Sequence, residues 1–194
     1  MANTSATGGY LAPSSTAPVE DDAFENFIGD AVAGITGLTR SLVRPRWQPE
    51  PPPHPPIEVD WCAIGITVIT SDYGVVKLHR PDGDGHDEVQ RHETDELLAS
   101  FYGPQAYSLA SRLRDGLMVD QNREALRAGC VNILECTRMR TASDLVNERW
   151  VRRVDLEISL RRAVLRSYPI LNVLSAVGSF ETQDGTSQPF IVEN

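Results

Sequence analysis

The chain reads as an α+β protein: a mostly antiparallel β-sheet with one or two helices packed on one face, preceded by an extended N-terminal arm. Three observations predict this. In the run Trp150–Tyr168, Val154, Leu156, Ile158 and Leu160 alternate with Asp155, Glu157, Ser159 and Arg161, the period of a strand with one buried and one charged face. An apolar run ends at Phe101-Tyr102-Gly103-Pro104, and Ala106, Leu109, Ala110, Leu113 and Leu117 then recur on one helical face, with Gly-Pro as the boundary. A further helical stretch, Asn122–Ala128, stops at Gly129 and gives way to a β-type run from Cys130 to Arg138. Strands with a helical segment between them form a packing unit in which each apolar face covers another.

From the start, residues 2–19 are small and polar (TSATGG, APSSTAP), too poor in apolar groups to hold a structure alone. A short helix is expected over about 21–38. Phe24, Phe27, Ile28, Val32 and Ile35 recur at helical spacing, and Asp21 and Asp22 suit the positive end of the helix dipole. Gly29, Gly34 and Gly37 weaken it, so outside packing must hold it. Pro49–Pro56 holds six prolines in eight residues, which forbids helix and central strand and predicts a stiff linker. An SH3 or WW ligand is the sharper reading of that linker, and nothing else in the chain points to signalling.

The compact part is expected from Trp61. Cys62, Ile64, Ile66 and Val68 alternate with Ala63, Gly65, Thr67 and Ile69, a strand with small residues on one face. Val75–Arg80 is a second strand, Pro81–Gly85 a hairpin tip, and the return limb runs through Val89–His92 to Phe101. The chain therefore divides into an arm (1–56), an α+β domain (57–178) and a low-complexity tail (179–194), where Phe190–Val192 suggests a short edge strand. Deleting residues 2–56 is expected to leave the domain folded and to impair assembly. There is no internal repeat.

Bulk properties exclude several function classes. A chain of 194 residues with 41% hydrophobic content fits one modest core plus tails. A net charge of −9 argues against a protein that grips nucleic-acid phosphates, though not against one that surrounds DNA without holding it. Cys62, Cys130 and Cys136 form no CxxC pair and lie in apolar runs, so they read as small buried hydrophobes in a reducing compartment. The start lacks the basic-then-apolar form of a leader, and no apolar run approaches membrane-spanning length. The expectation is a protein that is cytoplasmic when made, with no membrane partner.

No constellation for catalysis emerges. No serine has a G-x-S-x-G context, and no glycine run forms a phosphate loop. Asp82, Asp84, Glu88 and Glu93, the last twelfth in the count, imitate a calcium loop. The sixth position carries Asp87 where the sharp turn needs glycine, and no helix precedes Asp82. His79 and His92 lie on the two hairpin limbs, and with Glu93 they are the one metal-enzyme alternative, a set no further ligand completes. No cofactor and no metal are expected. The basic concentration Arg149, Arg152, Arg153, Arg161, Arg162 and Arg166 supports two readings. Either it is a solvated face with local pairs to Asp155 and Glu157, or it meets acids of a neighbouring copy, for instance the projecting loop Asp82, Asp84, Asp87 and Glu88.

Several stretches together resemble one family. They are Thr7–Pro13, Gly34–Leu38, Leu42–Pro49, Trp61–Ile66, Arg91–Glu93, Phe101–Pro104, Gln121–Glu124 and Arg152–Asp155. Their order and spread, from about Thr7 to Leu174, are similar to the neck or tail terminator proteins of long-tailed bacteriophages and prophages. The resemblance implies an α+β subunit of a homo-hexameric ring in the virion neck. Such a ring caps the tail tube, stops its polymerisation and joins the tail to the head connector. The implied partners are the tube protein, connector or adaptor proteins and the sheath, with genomic DNA passing through unbound. An acidic subunit suits such a channel, because negative walls repel phosphate. A head-side connector or stopper is the neighbouring alternative, favoured by a helix-dominated chain, which this is not. On this reading, reversing Arg152 and Arg153 to Glu should leave the subunit folded and prevent ring closure.

Overall fold

In a computed structural model, residues 2–146 and 148–193 are described. The chain forms two compact units. The larger comprises 17–75 and 91–164, and the smaller 1–16, 76–90 and 165–194.

The larger unit is one twisted sheet under three helices. Its strands are β1 (Val43–Pro45), β2 (Trp61–Ser71), β4 (His86–Tyr102), β5 (Val131–Val146) and β6 (Arg149–Tyr168), in the order β1-β2-β4-β6-β5. β2–β4 and β5–β6 are antiparallel, whereas β1 runs parallel to β2. The helices α1 (Asp21–Thr36), α2 (Ala106–Gly116) and α3 (Asp120–Ala128) contribute to one core on one face of the sheet. Period two places Leu97, Ala99 and Phe101 of β4 and Val154, Leu156, Ile158 and Leu160 of β6 there. Ala106, Leu109, Ala110 and Leu113 of α2 pack onto them.

Gly103 makes the strand-to-helix corner. Its φ is +108°, and a Cβ would sit 2.8 Å from the Val59 carbonyl oxygen, so only glycine fits. Asp60 then accepts the Gln105 N–H at 2.8 Å and satisfies a free donor at the start of α2.

Two expectations for the N-terminal part need correction. α1 occupies the expected place, but Phe24, Ile28 and Val32 are core residues, and β1 is a sheet strand with Val43 buried. The boundary at 56/57 therefore cuts through the hydrophobic core, because the glycine-weakened helix finds its packing partner within its own chain. The proline segment is also engaged. Pro55 is buried, and the His54 ring meets Trp61 edge-on at 5.1 Å, while Trp61 stacks on Tyr102 at 4.3 Å.

Further strand details differ from the alternation alone. A bulge at Thr67 breaks the β2 register between Ile66 and Val68, so Cys62, Ile64 and Ile66 face the core while Val68 and Ile69 are exposed. β4 is one continuous strand, and β5 runs past Arg138 to Val146. Cys62 is buried, Cys136 half-buried and Cys130 exposed, the last at φ +60° just after α3.

In the smaller unit, β3 (Val76–Arg80) pairs with the first residues of β4, and β7 (Ser175–Glu181) pairs with β8 (Ser187–Glu193). The tail strand is thus one limb of its own hairpin rather than an edge of the main sheet. A boundary at 178/179 falls inside β7.

Candidate assembly site

The six arginines do not form one surface. Arg162 is buried: its Nη2 lies 2.9 Å from Glu93 Oε2, its Nε 3.0 Å from Asp95 Oδ2, and its guanidinium 4.3 Å from the Phe24 ring centre. It also donates to the Val19 carbonyl at 3.2 Å. Arg161 donates to Thr94 Oγ1 at 3.0 Å and to Asp72 Oδ2 at 2.5 Å. Arg153 holds Asp155 at 2.8 Å and Asp144 at 3.2 Å, and lies over the Tyr102 ring. These three pair with acids of their own chain, Arg162 and Arg153 close to buried surface and Arg161 with the exposed Asp72. Reversal of Arg153 would leave Asp144 and Asp155 facing a third carboxylate, so the Arg152/Arg153 double reversal is not a clean probe of assembly. Arg166 is half-buried in the smaller unit. Arg149 and Arg152 are exposed at the β5–β6 turn.

The strand ends that flank that turn carry basic and apolar side chains, with the exposed acid Glu148 in the turn itself. Leu145 and Trp150 are cross-strand partners, both largely in solvent, with Arg149 beside Trp150 along the strand and Arg152 opposite Ser143. Arg152 uses one N–H on the Pro104 carbonyl at 3.0 Å.

The acidic loop is also partly committed. Asp87 accepts from His79 Nδ1 at 2.7 Å and Glu88 from Arg80 at 2.9 Å, while Asp82 and Asp84 are exposed. Asn172 latches the loop. Its side-chain amide donates to the carbonyls of Pro81 and Gly83, its backbone N–H donates to that of Asp84, and its Oδ1 accepts from His79 Nε2 at 2.9 Å. Acceptors at both ring nitrogens favour the charged imidazolium of His79, and its pKa lies above the ordinary value because Asp87 and Asn172 bond that form.

The alternative His79–His92–Glu93 grouping is not assembled. The β3–β4 register sets His79 opposite Asp87, and Glu93 belongs to Arg162. Among the described residues no three His, Cys, Asp or Glu side chains converge as a metal site.

The sequence reading missed an acidic cleft of about 760 Å³ in the larger unit. Glu20, Asp21, Asp22 and Glu25 bring acid from the start of α1, and Glu93 and Asp95 bring it from β4. Trp47, Val68 and Ile69 supply an apolar wall, and all three are mostly exposed. Asp95 is fully buried in the lining. Oδ2 stands 3.0 Å from Arg162 Nε as an ion pair, and neither carboxylate oxygen has a hydrogen-bond partner among the described residues. Burial raises the pKa of both Asp95 and Glu25, with Arg162 opposing the shift at Asp95 and a backbone hydrogen bond from Ile66 opposing it at Glu25. The run Glu20-Asp21-Asp22 was the available signal, but as helix-dipole acids it had a sufficient local explanation.

No curated protein matches the chain. Residues 22–185 match the family described as phage neck terminator protein. That span contains α1 from its second residue, α2, α3, the strands of the main sheet and β7. With a match over most of its length, the chain belongs to the phage neck terminator protein family.

Proposed function

We propose that this protein is the tail terminator of a long-tailed phage: a homo-hexameric ring that caps the tail tube, halts its growth and docks onto the head connector. The observation that carries this reading is the family match across nearly the whole fold, from α1 through the main sheet to β7. The family places the chain among structural proteins of the phage neck. Tube protein, connector proteins and the sheath are the proposed contacts, with assembly in the host cytoplasm and residence in the virion neck.

The net charge of −9 supports the role. Acidic copies around a channel let DNA pass without being held. They also repel one another unless positive groups lie at the joints. Of the basic cluster, the exposed Arg149 and Arg152 suit that task. A phage with a stop codon early in this gene tests the assignment in infected cells. Electron microscopy should show filled heads beside unjoined tails, many abnormally long, with rescue by the intact gene. Normal virions without the protein would remove the assignment.

A further inference from the structure

We infer that the β5–β6 tip of one copy seats in the acidic cleft of a second copy of this chain, a head-to-tail contact that repeats around the proposed ring. The inference deepens the terminator reading and rests on it for the ring, but the contact itself is argued from complementary surfaces. The tip presents Arg152 two residues along the strand from Trp150 of the exposed Leu145–Trp150 pair, and Arg149 beside Val146 at the strand end. These two cations outnumber the single exposed acid of the turn, Glu148. The cleft presents Asp21, Asp22 and Glu25 beside the apolar wall of Trp47, Val68 and Ile69. Each therefore offers what the other lacks, charge against charge and apolar surface against apolar surface, the composition of an interface centre with a polar rim.

A second observation is an under-neutralised acid in the lining of the cleft. Asp95, fully buried there, has no hydrogen-bond partner on either carboxylate oxygen among the described residues, Oδ2 standing 3.0 Å from Arg162 Nε as an ion pair. Leaving such an acceptor unpaired is costly. Arg162 already engages the half-buried Glu93 as well as Asp95, so this one cation is spread over two carboxylates. A guanidinium carries five N–H groups in a rigid fork and suits a carboxylate-lined recess.

The tip and the cleft are different parts of the chain, so the contact is heterologous. Such contacts close into rings when the rotation between copies permits. A self-complementary dimer would instead bury the same patch on both copies.

Three variants of the full chain test this by light scattering and negative-stain imaging. Arg149→Glu with Arg152→Glu, and separately Asp21→Lys with Asp22→Lys, should each lower the assembled fraction at least tenfold while keeping the circular dichroism of the parent. Carrying all four changes in one chain should restore assembly. A covalent probe covers the case in which a reversal fails to fold. With Cys130→Ser as background, chains bearing Trp150→Cys mixed with chains bearing Val68→Cys should form mixed disulfide-linked species under mild oxidation, and neither alone should do so comparably. Rings that persist in both reversals without cross-linking would overturn the tip-in-cleft contact and leave the ring reading standing. Cross-linked chains without rings would support the contact and count against the ring. Neither rings nor cross-links would overturn the contact outright.

Discussion

Arg162 illustrates how much of this chain's positive charge is committed inside the fold. It is nearly buried between Glu93, Asp95 and the Phe24 ring. Removing one partner of a buried cluster strands the others, at a cost of about 3–5 kcal/mol. Arg162→Ala should lower stability by that order in urea unfolding. Adding Asp95→Asn should recover part of the loss, because one stranded carboxylate becomes neutral. His79 makes a pH-dependent counterpart in the smaller unit. Its folded pKa is raised above the ordinary 6.5, so its contribution is fully present below that value and is lost as pH rises through the folded pKa. The hydrogen bonds from the Gly85 N–H to Asp82 and the Asn172 N–H to Asp84 report on the same loop. Beyond the intrinsic base catalysis of exchange, their protection should fall across that window, and His79→Gln should flatten the change. An unchanged pH profile in that variant would show that the latch does not depend on the imidazolium.

Among the elements, α1 has the largest consequence for experiment. Phe24, Ile28 and Val32 lie in the same core as α2 and the sheet, and β1 adds Val43. Full burial of each such side chain is worth about 1.5–3 kcal/mol. Together they rival the roughly 5–15 kcal/mol that holds a domain folded. A chain lacking residues 2–56 should therefore lose its cooperative thermal transition, whereas one lacking only residues 2–16 should keep the transition of the larger unit. A sharp transition in the shorter chain would return α1 to the role of an assembly arm. Arg40 binds this element closely to the first strand of the sheet. It bonds Asp30 at 2.5 Å and the Val43 carbonyl at 2.6 Å, tying the helix to the start of β1.

At the scale of the whole molecule, charge is the dominant property. A chain at −9 with several arginines already paired to its own acids presents little free positive surface. Nucleic-acid binding that depends on releasing counterions needs such surface. The protein should leave duplex DNA unretarded in a gel-shift assay at about 0.15 M salt, where screening reaches roughly 8 Å. Retardation at stoichiometric protein would contradict a channel wall that DNA slides past. No helix among the described residues is long and apolar enough to cross a membrane.

The sequence by itself determined the α+β class, the helix after Gly103-Pro104, the long β6 strand and the hairpin at Asp82–Gly85. Each is carried by local period or by turn chemistry, which neighbouring residues encode. It also carried the family resemblance, which the match over residues 22–185 supports. The tertiary structure decided what local pattern cannot encode. Whether α1 packs on its own core or reaches elsewhere depends on Leu113 and Leu160, far along the chain but in the same core. Which arginines remain exposed depends on Glu93, Asp95 and Asp72, acids distant in sequence that the fold brings to β6. The cleft exists because a bulge turns Val68 and Ile69 away from the core beside the acids of α1. Such arrangements join residues dozens of positions apart, and only the packed chain brings them together.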